Sequence, residues 1–455
     1  VIELNACPGL RMHLSPEEGT ARDVAAAVVD QLYPPGAPSR VPVVAVTGTN
    51  GKTTTVRMIG HILGQSGLRV GMATTDGVYC GGSLVYHADA SGPRSARMVL
   101  DDTSVEAAVL ETARGGIIRG GLGYDQADVA VVTNITADHL GSDGIDHLGE
   151  LTAVKALVAE EIKDGGAVVL NADDPVTAAL ADRPAVRRHA PDIRYFSLDP
   201  GSELAARHRR AGGLVYTVAG GQLVESSGSA GRPLMELAGL PGAFGGRAPH
   251  LVANALAAIA ACRALGVSAK DIRQALATFT PAEANPGRGN VFLAGGCPVV
   301  VDYGHNAAAL AATGAMIGSV WGGRPAAAVT LPGDRRDDLI AASAAAIARW
   351  FGAVAVYEDS DRRGRRPGQM QEMIMAELRR ARPGIRCVPA RSPQDALRAA
   401  VTMAGGHPVL FVHESFSQAR AALAAIGAEP ARFDEPAADE PTTPLPLVSQ
   451  PGPGH

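Results

Sequence analysis

Gly48-Thr49-Asn50-Gly51-Lys52-Thr53-Thr54 follows an apolar, β-branched run, Val41 to Thr47, and precedes a helix-like segment. Residues of these types in this order make a cradle for a nucleotide's phosphates. Glycines let backbone N–H groups approach a polyphosphate, and the helix that follows turns its positive end to the same anion. Lys52 adds a point charge, and the Thr53 hydroxyl is a ligand for Mg²⁺. The chemistry expected of such a P-loop is that of ATP. The loop is shorter than the common pattern, which sets four residues between its glycines; here only Thr49 and Asn50 intervene. A chance Gly-Lys-Thr in a chain with 54 glycines is the alternative, and the strand before, the helix after and the doubled threonine weigh against it.

The elements that must position this loop are those of a parallel α/β sheet. From Val41 to about Gly239, short β-rich runs (Val41–Thr47, Val105–Glu111, Val129–Asn134, Ala167–Asn171) alternate with alanine-rich helical stretches. Ligands of such sheets sit at the carboxyl ends of the strands. Three runs end on polar groups suited to that place: Thr47, Glu111 and Asn134. Glu111 beside Thr53 offers the hard oxygens that Mg²⁺ prefers. Residues 214–240 read as hairpins with Gly-Gly turns, and Pro249–Gly266 as a strong helix. Pro, Asn, Gly and Arg cluster at Pro281–Gly289, where a linker or domain boundary is expected. A second α/β unit then runs from Val291 to about Gly427, with strands at Pro298–Asp302, Ala326–Leu331, Ala353–Tyr357 and Pro408–His413. Beyond Glu429 the composition is that of a disordered tail.

At 455 residues the chain is long enough for two or three cores. Hydrophobic residues at 46% and charged ones at 19% are the profile expected of a soluble globular protein rather than a disordered or membrane one. No run reaches the ~20 apolar residues that span a bilayer. The net charge of −5 argues for neither nucleic acid nor an anionic membrane as partner. The five cysteines have no Cys-x-x-Cys spacing, so reduced, mostly buried thiols are expected, and the lack of a membrane-length run or a charged-then-apolar opening gives a cytoplasmic location as the expectation.

Taken together, the loop, Val109-Leu-Glu-Thr-Ala-Arg-Gly-Gly116 and Asn134-Ile-Thr-Ala-Asp138-His139 resemble the Mur ligase superfamily, over roughly residues 40–427. These are ATP-dependent amide-forming enzymes that include the peptidoglycan stem-peptide ligases and folylpolyglutamate synthetase. Residues 109–123 and 131–141 are most similar to the branch that adds arginine to a polyaspartate backbone. The opening segment, Ile2-Glu-Leu-Asn-Ala-Cys-Pro-Gly-Leu10, is similar to the end of an ATP-grasp domain.

The resemblance implies a Mur ligase-like α/β fold: an ATP-grasp remnant at 1–36, a central P-loop domain at 40–285, and a smaller Rossmann-like domain at 286–430, before a tail at 431–455. It implies an acid–amino-acid ligase that forms an acyl phosphate on a polyaspartate side-chain carboxylate and couples it to L-arginine. Partners would be ATP, Mg²⁺, L-arginine and a polyaspartate primer, with a homo-oligomer for the intact enzyme. By resemblance His139 is a ligand for a second Mg²⁺, with Asp138 orienting its ring, and Lys155 is the lysine that some members carry as a carbamate. Asn254 falls where the family has an asparagine near adenine, although the usual His-Asn pair is here His250-Leu251. Arg288 resembles the linker arginine that reaches the nucleotide. Asp302, His305 and Asn306 resemble the motif that closes on it, with Ala307 in place of the usual proline. In the run Asp359 to Arg366, Asp359 or Asp361 would pair with a guanidinium, while Arg363 and Arg365 would hold carboxylates. Two rivals are another Mur-type or folylpolyglutamate-like ligase, and a module that binds or hydrolyses ATP without forming an amide.

Overall fold

The computed structural model describes residues 9–34, 36–37, 39–138 and 140–431. The chain divides into two units, Val1–Pro42 and Val43–His455. In the first, Asp23 opens the helix Val24–Leu32 by accepting the Ala26 N–H at 2.8 Å, and Val28, Val29 and Leu32 of that helix are exposed. No described helix is long and apolar enough to cross a membrane.

The second unit holds two sheets. The larger has eleven strands, and its core is parallel, in the order Leu214–Ala219, Asp192–Ser197, Ile162–Asn171, Ala127–Val132, Val43–Thr47, Ala107–Glu111, Val70–Thr74. Antiparallel strands extend it at both ends. Val43–Thr47, Ala107–Glu111 and Ala127–Val132 are buried along their whole length, as continuous β-branched and apolar runs must be when helices cover both faces. One cover is the helix Lys52–Gln65, which packs Met58, Ile59, Ile62 and Leu63 into the same core as Ala255 to Cys262 of the helix Pro249–Ala264. The alanines of that second helix let the two approach closely.

The smaller sheet has seven strands. Five are parallel, in the order Arg386–Pro389, Ala353–Val356, Ala326–Val329, Val409–Val412, Cys297–Asp302; Arg288–Ala294 and then Glu429–Pro430 pair antiparallel at the far side.

Every strand expected from the sequence is present within two residues at its carboxyl end, and the hairpins at 214–240 turn at Gly220-Gly221. The junction expected at Pro281–Gly289 leads into the first strand of the smaller sheet and is itself structured: Pro281–Ala284 is helical and Arg288 begins that strand. The proline and glycines there mark tight turns inside folded structure, since Asn285 and Asn290 are buried and hydrogen-bonded into the turn. Residues 1–8 and the expected tail from 432 onward lie outside the described residues. Cys80, Cys262 and Cys297 are free and buried, and Cys387 is free and half-buried.

Candidate active site

The loop after Val43–Thr47 is shaped by the segment that follows the neighbouring strand Ala127–Val132. Thr49 N–H donates to the Asn134 carbonyl at 2.8 Å, Asn50 N–H to Asn134 Oδ1 at 2.9 Å, and Thr133 Oγ1 to the Asn50 carbonyl at 2.6 Å. Gly48 and Gly51 have φ of 147° and 87°. A Cβ on Gly48 would lie 2.0 Å from Thr133 Oγ1, and one on Gly51 2.3 Å from Asn254 Oδ1. Glycine is therefore required at both places for backbone angle and for space. Asn254, from the helix Pro249–Ala264, thus stands against the phosphate loop itself.

Two ionisable side chains close the cradle from below. Glu111, at the end of its strand and 3% exposed, accepts Thr53 Oγ1 at 2.9 Å, Thr75 N–H at 3.0 Å and Thr75 Oγ1 at 2.8 Å. Lys155, on the helix Leu148–Glu160, is buried and donates to the Gly48 carbonyl at 2.6 Å. Burial, and after it the charge of Lys52, pushes the Lys155 ammonium well below the usual lysine range. The Lys52 ammonium donates to the Thr49 carbonyl at 3.1 Å. Among the described residues no three His, Cys, Asp or Glu side chains converge as a metal centre. A buried carboxylate beside a threonine hydroxyl suits Mg²⁺, which binds through one or two carboxylates and fills its shell with phosphate oxygens and water.

The smaller sheet meets this cradle with the loops at its own strand ends. Asn306 donates from Nδ2 to Asn50 Oδ1 at 2.8 Å and to Asp138 Oδ2 at 3.1 Å. Asp138 Oδ1 also accepts Arg335 Nε at 3.1 Å, both side chains being at least 95% buried. The carboxylate expected to orient His139 is therefore also an anchor for Arg335 and Asn306. Asp302 accepts the N–H groups of Gly304 at 2.7 Å and Gly289 at 2.9 Å, which fixes its own loop. Arg288 stacks on the Tyr303 ring at 4.0 Å and lies 3.8 Å from Asp76, which in turn pairs with the buried Arg57 at 2.7 Å. His305 Nδ1 donates to the Tyr303 carbonyl at 3.0 Å.

Beneath this junction His413, 2% exposed, donates from Nε2 to the Gly287 carbonyl at 3.1 Å. Burial, and secondarily Arg288, pushes its imidazolium down to about 4. The unfolded chain takes up this proton near pH 6.5 and the folded one does not, so stability present above 6.5 is lost as pH falls toward 4. The loss expected is about 3 kcal/mol, read as a fall in melting temperature between pH 7 and 4.5. A His413→Asn variant should flatten that slope, and an unchanged slope would contradict the assignment.

Gly48 to Thr54, Glu111, Lys155, Asn254, Arg288, Asp302, His305, Asn306, Asp361 and Arg363 all line a single cleft of about 1040 Å³. His139 lies outside the described residues. Residues 46–262 match the Mur ligase middle domain family. Cyanophycin synthetase of Crocosphaera subtropica is 44% identical over 82% of this chain and 42% of its own length, and that of Synechocystis sp. is 43% identical over 84% and 43%. Residues 46–262 are thus similar to a Mur ligase middle domain, and the chain to one part of cyanophycin synthetase. The chain spans less than half the length of those synthetases. The solved Mycobacterium tuberculosis folylpolyglutamate synthase, in complex with ADP and AMPPCP, shares the fold with a TM-score of 0.64 at 19% identity, over 89% of this chain and 95% of that one.

The sequence does not single out several residues in or beside this cleft. Arg335 and Asp334 follow the strand Ala326–Val329 in Pro332-Gly-Asp-Arg-Arg336, and Glu414 follows Val409–Val412. The rule that ligands sit at carboxyl ends of parallel strands would have found them. Arg114 of the Ala-Arg-Gly-Gly motif lines the cleft and donates to the Ser142 carbonyl and Asp143. Arg363, expected to hold a substrate carboxylate, contacts Asp334 and Glu414. Arg365 is committed to the Gly333 and Arg335 carbonyls and Asp337.

Proposed function

We propose that this chain is an ATP- and Mg²⁺-dependent acid–amino-acid ligase that joins the α-amino group of L-arginine to side-chain carboxylates of a polyaspartate chain. The observation that carries it is the meeting, in one cleft, of the phosphate loop, Glu111 and Lys155 with strand-end loops of a second sheet, in a chain similar to one part of cyanophycin synthetase. In the first step a carboxylate oxygen attacks the γ-phosphorus, the bond to the bridging oxygen breaks, and ADP leaves an acyl phosphate. In the second the arginine amine attacks the acyl carbon, phosphate departs, and the nitrogen gives up a proton. Both steps gather negative charge on oxygens, so pre-positioned cations and N–H groups are what the protein must supply. Lys52 and the loop N–H groups face the β- and γ-phosphates in this reading. Thr53 and Glu111 would hold one Mg²⁺ and His139, by resemblance, a second, and these ions would neutralise phosphate charge. Lys155 is the carbamate-bearing lysine by the same resemblance, and burial favours its uncharged amine, the form that takes up carbon dioxide. Arg288, Asp302 and Asn306 bring the second sheet onto the nucleotide and exclude water.

In the same reading residues 1–36 are the remnant of an ATP-grasp domain, 40–285 the central domain and 286–430 the C-terminal domain. The intact enzyme is a homo-oligomer. The test is ADP release with a synthetic β-Asp-Arg primer, each amino acid being added in turn. Turnover only with primer and arginine together is expected. Turnover with another amino acid would move the chain to a different Mur-type ligase, and ADP release without primer or amine would make it a nucleotide-hydrolysing module.

A further inference from the structure

Three neighbouring strands of the smaller sheet end around the Arg363 guanidinium, and Asp334 Oδ1 also accepts Arg335 Nη1 at 2.7 Å. Asp334 follows Ala326–Val329, Arg363 follows Ala353–Val356, and Glu414 follows Val409–Val412. Arg363 Nη1 donates to both Asp334 oxygens, at 3.1 and 3.2 Å, and Nη2 donates to Glu414 Oε2 at 2.6 Å. A planar cation against two carboxylates is the geometry for which a guanidinium is suited and an ammonium is not.

The seat is incompletely used by its occupant. The Glu414 side chain is 8% exposed, and its second oxygen, Oε1, is buried without a hydrogen-bond partner. Its neighbour His305 Nδ1 stands 3.7 Å away and already donates to the Tyr303 carbonyl. A buried carboxylate oxygen left unmatched is costly, and the fork of Arg363, arriving from its own loop, does not reach it. Arg363 and Asp334 line the cleft, whereas Glu414 stands behind Arg363. The carboxylate becomes reachable from the cleft when that side chain moves away. The other arginines of the loop do not compete for this place: Arg362 pairs with Glu358, Arg366 with Glu372, and Arg365 with Asp337.

We propose that Asp334 and Glu414 form the subsite for the guanidinium of the incoming amino acid, and that Arg363 fills it until arginine displaces it. This rests on the arginine-adding reading above. The exchange swaps one guanidinium for another, so charge is conserved and no carboxylate is left bare. It also discriminates, because a lysine-like ammonium must displace a better-matched cation than itself. Burial pushes the Glu414 carboxyl up to about 7 even with Arg363 beside it, which agrees with a seat that favours a better-enclosed cation.

The test is calorimetric titration of the full chain, loaded with ADP and Mg²⁺, with L-arginine, with agmatine, which keeps the guanidinium and lacks the carboxylate, and with L-lysine. If Arg363 fills the seat about nine-tenths of the time, the apparent affinity is about tenfold below the intrinsic one. Arg363→Gln should then bind arginine and agmatine about tenfold more tightly, with a smaller gain for lysine. Adding Asp334→Asn to Arg363→Gln should abolish the gain, while melting temperature and ADP affinity report that the double variant is folded. Weaker or unchanged agmatine binding by Arg363→Gln overturns the proposal, and weaker binding of arginine alone would show that Arg363 holds the substrate carboxylate. Should the wild-type chain fail to ligate arginine while the agmatine gain appears, the functional reading falls and the guanidinium seat stands. Arginine ligation without the gain has the reverse meaning.

Discussion

Lys52→Ala should lower ADP release roughly 10³-fold and leave the melting temperature nearly unchanged. The ammonium of Lys52 touches only the loop that carries it, through the Thr49 carbonyl at 3.1 Å, among the hydrogen bonds described. Its removal therefore opens no cavity and strands no buried partner, and surface-type changes of this kind move stability by about 0.5 kcal/mol or less. What is lost is a cation facing the cleft where phosphate oxygens gain charge. Turnover and thermal melting measured together separate the two effects. Full ligation by the variant would mean that the phosphate loop is not the site of ATP chemistry.

Gly48→Ala should act through both stability and activity. The residue sits at φ 147°, where an L side chain is strained, and the added methyl would fall 2.0 Å from Thr133 Oγ1 and 3.1 Å from the Asn134 carbonyl. Thr133 can make room only by turning away, which breaks its 2.6 Å bond to the Asn50 carbonyl. The Gly48 carbonyl is also the acceptor for Lys155. A loss of about 3 kcal/mol is expected, with nucleotide affinity reduced roughly 10²-fold because the loop amides no longer converge. Gly149→Ala, on the helix Leu148–Glu160 with open space around its Cβ, is the control that should leave both unchanged or slightly improved. Wild-type turnover and melting in Gly48→Ala would remove the steric argument.

The parts of the site that the sequence made legible are local ones. Gly48 to Thr54 is contiguous, and Glu111 announces itself by ending an apolar run; the structure joins the two through the 2.9 Å bond from Thr53 to Glu111. The closing motif Asp302 to Asn306 is equally compact, and it does reach Asn50. What stayed illegible depends on pairing across long separations. Arg335 meets Asp138 197 residues away, and Arg57 meets Asn285 228 residues away; no periodicity or spacing encodes which charged residue of one loop finds which of another. Strands such as Gly77–Cys80 and Arg386–Pro389 are only four residues long, too short to show alternation against the surrounding loops. The loop Asp359 to Arg366 mixes both charges, and nothing in its order shows that Arg363 and Arg365 are each matched by acceptors contributed from the loop after Ala326–Val329.

Arg288 and Asp302 are direct partners across the antiparallel pair Arg288–Ala294 and Cys297–Asp302, which turns at Gly295-Gly296. Their separation is thus set by ladder register and is independent of how the smaller sheet is oriented. Any swing of that sheet moves both as the tip of one rigid lever, so the guanidinium and the carboxylate-braced loop arrive together or not at all. Synchrony is built into the covalent chain, and no signal need pass between them.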